Sequence, residues 1–233
     1  MTYLSFIIIF LLIPLISLIL YLKYFLEQYE LPITSILILS LIALLYTIPW
    51  DNYLIIEGIW FYDNNRISNL ILSIPIEECG FMILQTALSV IIFDLFLNKT
   101  SKRSLNFKAQ GFLLAFPILL IGIYLLFFKS ARYASLILLW SFLPVCLQWS
   151  LGFDSILENF KKIAVPFSLI TVYYCIIDHI AISQGIWTIS ESTSLGITLF
   201  HLPLEEALFF FFTNLFIAQA VILLKPRFGK NAF

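Results

Sequence analysis

Along this chain the apolar residues keep neither the helical nor the strand period for long. They gather instead in unbroken runs separated by short polar breaks. Seven runs stand out, at roughly 3–22, 32–50, 74–97, 109–128, 132–151, 162–180 and 203–224. Each is near the ~20 residues that a helix rising about 1.5 Å per residue needs to cross a bilayer. The pattern predicts an all-α, polytopic membrane protein of about seven transmembrane helices. The sixth run is the least regular, because it contains Pro166 and ends in Asp178-His179, so six or eight crossings also fit. No polar break has room for a separate soluble domain, and residues 1–233 read as one integral membrane domain.

Composition strengthens that reading. Of 233 residues, 61% are hydrophobic and 12% charged, 24 are Phe, and the mean hydropathy is +1.01. A water-soluble domain needs far more charge to cover its surface. The first run has no basic segment before it and no small-residue cleavage site, so it is expected to be a retained helix rather than a signal peptide. In a seven-helix arrangement Lys23, Lys99, Lys102, Arg103, Lys108, Lys161, Lys162, Lys225, Arg227 and Lys230 fall on one side, and Arg66, Lys129 and Arg132 on the other. The positive-inside rule then places the C-terminus in the cytoplasm and the N-terminus outside, in a cell (inner) membrane. Cys79, Cys146 and Cys175 lack metal-ligand spacing and read as small buried residues. No basic, aromatic-interleaved module suggests a nucleic-acid partner.

The order of certain polar residues recurs. Trp50-Asp51-Asn52, Glu57-Gly58-Ile59-Trp60 and Pro75-Ile76-Glu77-Glu78 are followed later by Ile177-Asp178-His179, Gln184-Gly185-Ile186-Trp187 and Pro203-Leu204-Glu205-Glu206. The Asp, Gly and Trp positions repeat at a spacing of 127 and the Pro-x-Glu-Glu elements at 128. Such recurrence predicts an internal duplication, with units at approximately 32–97 and 162–224 linked by two helices within 109–151. The units begin four crossings apart, so the expected repeats are parallel, related by an axis along the membrane normal.

The glutamate pairs stand at the mouths of apolar helices, where charge is costly. Burial and mutual repulsion oppose charging such a pair, while the positive end of the helix dipole favours it. Proline fits the first helical turn, because its missing N–H would be unpaired there anyway. Adjacent helical residues point about 100° apart, so at most one glutamate of each pair can point squarely into a given cavity. A proton-bearing carboxyl in an aromatic cavity can protonate an alkene, and ring faces and carboxylates can steady the cation. Loss of a neighbouring proton to a carboxylate or imidazole completes an isomerisation, which needs no redox cofactor.

The candidate catalytic residues are therefore Glu77, Glu78, Glu205 and Glu206. Asp51 and Asp178 are candidates for sharing a proton with them, or else helix-boundary residues. His179 and His201 are candidate proton relays, or interfacial hydrogen-bonding residues; their separation in the chain defines no metal site. Trp60, Trp187, Phe81 and Phe209 are candidate substrate-lining residues, although interfacial anchoring is the ordinary role of such tryptophans. Gln85 and Asn214 read as interhelical hydrogen-bonding residues, and Arg66 as a counter-ion for a loop carboxylate.

At these duplicated Trp50-Asp51, Gly58-x-Trp60 and Pro75-x-Glu77-Glu78 elements the chain resembles the membrane-embedded carotenoid cyclase family, the lycopene cyclase domain type. Both halves are present in one chain and no synthase is attached. The resemblance implies an isomerase (intramolecular lyase) that closes the linear ψ-ends of lycopene, or a related linear carotenoid, into β-ionone rings. It matches Glu77, Glu78, Glu205 and Glu206 to the family's acidic motif, and Asp51 and Asp178 to its aspartates. Its expected partners are the carotenoid and membrane lipid, with homo-oligomerisation or association with carotenoid-pathway enzymes left open. No cofactor is required on redox grounds, and a reduced flavin in a non-redox role stays open. The first copy reads Cys79-Gly80-Phe81 where the second has the more aromatic Ala207-Leu208-Phe209-Phe210, which leaves open that only the second supplies the acid.

Other classes fit less well. A glutamate-dependent intramembrane protease would need Arg at Met82 or Phe210, and a retinal-binding protein would need a lysine between Pro203 and Leu224. The alternative that survives is a proton-coupled membrane transporter or a non-enzymatic membrane scaffold.

Overall fold

The computed structural model describes residues 1–27, 29–97 and 107–228. Of the basic residues used to orient the chain, Lys99, Lys102, Arg103 and Lys230, and the side chain of Arg227, lie outside the described residues. The fold is mostly helical: α1 (Tyr3–Phe25), α2 (Ile33–Ile56), α3 (Ile76–Phe96), α4 (Ala109–Leu125), α5 (Arg132–Ser183) and α6 (Leu204–Phe228). Among the described residues, all of these except the 17-residue α4 are long and apolar enough to cross a membrane.

Burial is inverted relative to a water-soluble protein. Leu37, Leu45, Phe127, Val165 and Leu169 are exposed, whereas Ser89, Ser135, Asn214 and the four glutamates of the acidic pairs are buried. Hydrocarbon can solvate the former and not the latter, so polar groups turn inward and pair with one another. The chain is a membrane protein.

Helix α5 is one run of 52 residues, and a straight helix of that length would reach about 78 Å. It is interrupted at Gly152, whose φ/ψ of −169°/42° is not helical. Tyr133 at its start bonds Glu206, which lines a void together with Asp178 near its end, so its two arms fold back on each other there.

Prolines within α1 and α5 explain two long-range contacts. Pro14 has no N–H to give the carbonyl of Phe10, and Pro144 none to give that of Trp140. In the membrane interior such a carbonyl needs another donor. The Tyr173 hydroxyl donates to the Phe10 carbonyl at 2.5 Å, and the Tyr46 hydroxyl to the Trp140 carbonyl at 2.6 Å.

The Gly-x-Trp elements are helix stops. Gly58 has φ +65° and Gly185 φ +66°, the left-handed conformation that glycine adopts without strain. At the first, Ile59 N–H bonds the Leu54 carbonyl and Gly58 N–H that of Ile55; at the second, Ile186 N–H bonds Ala181 and Gly185 N–H bonds Ile182. These are the paired bonds of a Schellman cap, which satisfies the last carbonyls of a helix.

Each cap delivers its tryptophan into a strand, β1 (Trp60–Tyr62) or β4 (Trp187–Ile189), and the two strands pair antiparallel. In that ladder Trp60 faces Ile189, Phe61 faces Thr188 and Tyr62 faces Trp187. Two small hairpins, β2 (Leu70–Ile71) with β3 (Ile74–Pro75) and β5 (Thr198–Leu199) with β6 (Leu202–Pro203), then lead straight into α3 and α6.

Candidate active site

Helices α3 and α6 carry the acidic pairs into the middle of the bundle. In their spans 56% and 50% of residues are buried, against 22–28% in the other three. Because Pro75 and Pro203 end strands, both pairs occupy a first helical turn. The first glutamate of each turns to its own preceding loop. Glu77 Oε1 accepts from the Ser68 N–H at 2.8 Å, and Glu205 Oε1 from the Leu195 N–H at 2.6 Å.

The second glutamate, about 100° further round, faces inward. Glu78 Oε2 accepts from the hydroxyls of Tyr3 at 2.5 Å and Tyr62 at 2.9 Å. Glu206 Oε1 accepts from the Tyr133 hydroxyl at 2.6 Å and the Trp60 indole N–H at 3.3 Å. Asp178 Oδ1 accepts from the Trp187 indole N–H at 3.0 Å. Asp51 is buried, and neither of its oxygens is hydrogen-bonded among the described residues. Burial first, and then the charge of Glu78, push the Tyr62 hydroxyl well above the ordinary phenol range, so it serves as a donor.

The strand pair crosses the tryptophans over. Trp60, from the first half of the chain, lies against Tyr133 and Phe209, with ring centroids 6.2 and 6.0 Å away. Trp187, from the second, lies against Tyr3 and Phe81 at 5.1 and 6.4 Å. All of these rings except Tyr133, with Tyr62, Phe210 and the carboxyl groups of Glu78, Asp178 and Glu206, surround one void with room for about one water molecule. Among the described residues no lysine or arginine lines it.

The remaining candidates stand elsewhere. His179 and His201 do not line the void; their rings lie 6.4 Å apart, with His201 exposed in the turn between β5 and β6. In the corresponding part of the first half, Asn52 Oδ1 accepts from the Ser73 N–H at 3.0 Å. Arg66 pairs with Asp63 at 3.0 Å, and the Asn65 N–H and Arg66 hold the Asp63 carboxyl below its ordinary range. Gln85 donates to Thr213, and Asn214 bonds Ser89 and Thr171, inside the bundle below the void. Cys79, Cys146 and Cys175 are free thiols and half-buried.

Sequence reasoning missed Tyr3, Tyr62, Tyr133 and Phe210, and a ring stack in which Trp50 lies 5.7 Å from Phe209 and 4.9 Å from Trp140. A signal for two of them existed. Tyr3 and Tyr133 are 130 positions apart, as are Pro14 and Pro144, but these positions fall outside the repeat units drawn from the acidic motifs.

Fold and pocket together define a class: a helical membrane protein whose buried carboxyl groups meet phenols and indoles around one void. The chain belongs to the lycopene cyclase family, whose model matches residues 1–96 and 133–223. It is 35% identical over 190 residues to the lycopene beta-cyclase of Halobacterium salinarum, covering 80% of each chain. It is 33% identical over 217 residues to the bifunctional lycopene cyclase/phytoene synthase of Phaeosphaeria nodorum, a match that covers 85% of this chain and 35% of that protein. The corresponding Aspergillus oryzae protein is 32% identical over 203 residues, with 82% of this chain and 34% of that protein covered. No solved structure matches the chain.

Proposed function

We propose that this protein is a lycopene β-cyclase, and that Glu78 and Glu206 carry its proton chemistry. The observation that carries the reading is their shared position: both are buried beside one aromatic-walled void that no lysine or arginine among the described residues lines. A fully charged cluster there would be costly, so it holds at least one proton.

We assign the acid to Glu206, because the ring stack of Trp60, Phe209, Trp50 and Trp140 adjoins it and offers π-faces to a cation. Its carboxyl proton adds to the terminal double bond of the ψ-end and leaves a tertiary carbocation. The next double bond attacks, the new carbon–carbon bond closes a six-membered ring, and the positive charge moves to a ring carbon. Glu78, which already accepts two phenol protons in hydrogen bonds, takes the adjacent ring proton and gives the β-end. One proton enters and one leaves, so the balance requires no oxidant or reductant and the proposal includes no cofactor. Admitting a ring requires the walls of Trp60, Trp187 and Phe81 to part, since the void now has room for about one water molecule.

The same reading extends to topology. On it, the two arms of α5, the remaining four helices and α4, whose 17 residues are at the short limit for a crossing, would make seven crossings with the acidic pairs at the outer face. Two parallel repeats account for the symmetry of the contacts. Phe61 and Thr188 face each other 127 positions apart, so exchanging the halves maps the β1–β4 ladder onto itself. Tyr173 with Phe10 and Tyr46 with Trp140 follow the same exchange. The repeat is therefore best drawn as three helices, α1–α3 and the two arms of α5 with α6, with α4 as the linker.

Expression in a cell that accumulates lycopene, followed by chromatography of its pigments, tests the function. Appearance of β-ring carotenoids is expected, and unchanged lycopene beside abundant membrane-inserted protein would overturn it. Purified, flavin-free protein in detergent should convert lycopene without any added nucleotide, and a strict need for one would remove the cofactor-free balance.

A further inference from the structure

Two tyrosines at the start of α1 and α5 have no place in the proton balance, yet each meets one of its carboxyl groups. We propose that Tyr3 and Tyr133 are positioning residues that hold Glu78 and Glu206 in the orientation required for proton transfer. This rests on the cyclase reading above.

The tyrosines of the bundle differ in what they bond. Tyr46 and Tyr173 donate to carbonyls that a proline leaves free, which is a structural task. Tyr3 and Tyr133 donate to a carboxyl oxygen. A phenol held on one oxygen fixes the carboxyl rotamer and leaves the other oxygen to exchange a proton with the void. Each ring also packs on the tryptophan that comes from the opposite half of the chain, Tyr3 on Trp187 and Tyr133 on Trp60. One tyrosine therefore ties an acid-bearing helix, its own helix and the strand of the other half together.

Both tyrosines are themselves strapped. The Tyr3 N–H bonds the Arg66 carbonyl at 2.8 Å, and the Arg66 guanidinium returns a bond to the Met1 carbonyl at 2.9 Å. Beside Tyr133, Arg132 pairs with Glu57 at 2.6 Å, the residue just before the Gly58 cap. The straps tie the first turn of α1 and of α5 to the segments on either side of β1, the strand that carries Trp60.

Tyr3→Phe and Tyr133→Phe remove one hydroxyl each and keep the ring. A hydrogen bond to an ionisable carboxyl accounts for about tenfold to a hundredfold, so kcat should fall by that factor with KM unchanged. The solvent deuterium isotope effect should rise, because protonation becomes slower relative to product release. Tyr173→Phe, which loses a bond to a backbone carbonyl, should keep the wild-type kcat and isotope effect. Wild-type kcat in both Tyr3→Phe and Tyr133→Phe, or an equal loss in Tyr173→Phe, would overturn the assignment.

A second measurement needs no turnover. In substrate-free protein in detergent, the infrared carboxyl and carboxylate bands of Glu206, identified by their loss in Glu206→Gln, should shift in Tyr133→Phe and stay in place in Tyr173→Phe. No shift in Tyr133→Phe would overturn the proposal. If wild-type protein converts no lycopene, the cyclase reading fails while the infrared result still decides whether the tyrosine sets the carboxyl.

Discussion

Glu206 and Glu205 are neighbours in the chain, but replacing them should have different consequences. Glu206→Gln keeps the shape and the acceptor oxygen for Tyr133 but has no acidic proton to give, so turnover should fall by about 10²-fold or more, read as β-ring formation per inserted protein. Glu78→Gln leaves the acid in place and removes the acceptor for the ring proton. It should therefore slow the last step and divert product to other double-bond isomers of the ring, visible by chromatography with mass detection. Glu205→Gln still accepts from the Leu195 N–H, and should cost about 1 kcal/mol of stability rather than the chemistry. The acidic residues were legible in sequence because a carboxyl at the mouth of an apolar run needs an explanation. The division between first and second glutamate was only half legible: helical geometry says the two diverge, but not which faces the void. Tyr3 and Tyr133 gave only the weaker signal of their shared 130-residue spacing with Pro14 and Pro144, since a tyrosine near a helix end is ordinarily an interfacial anchor.

At the scale of elements, the caps and the proline-linked tyrosines hold the site in place, and their contributions can be measured. Gly185→Ala meets no atom within 4 Å of the added Cβ, so its penalty is purely that of holding a non-glycine residue at φ +66°. That conformation costs about 1–2 kcal/mol, and thermal unfolding in detergent should show a loss of that order. Gly58→Ala adds only an ordinary 3.5 Å contact with the Phe61 ring, so its loss should be similar. Tyr173→Phe leaves the Phe10 carbonyl without its donor, at a cost of about 1 kcal/mol or more, while activity persists. The helices could be read from the chain because a run of about 20 apolar residues is a strong signal. The strands could not, for two- and three-residue strands are too short to show a period, and β1 finds its partner 127 positions away. The two arms of α5 were readable as separate runs, since the polar stretch after Gly152 interrupts the hydropathy where the backbone turns.

For the whole molecule the open quantity is the number and direction of crossings, and α5 decides it. If its arms cross separately, Lys129 and the turn at Phe200 lie on the same, outer side, with Lys161 on the other. If α5 crossed only once, Lys129 and Phe200 would lie on opposite sides. Phe200 is 87% exposed at the tip of its hairpin, and Lys129 and Lys161 are also exposed, so a thiol at any of the three can be reached. In a background where Cys79, Cys146 and Cys175 are replaced by serine, Lys129→Cys and Phe200→Cys should react with a membrane-impermeant maleimide in intact cells. Lys161→Cys should react only after permeabilisation. Among the described basic residues, Lys23, Lys108, Lys161, Lys162 and Lys225 then share the cytoplasmic end, as the charge asymmetry requires. Labelling of Lys129→Cys and Phe200→Cys on opposite sides would return α5 to a single crossing. Labelling of all three in the reverse sense would keep the seven helices and turn the site to the cytoplasmic face.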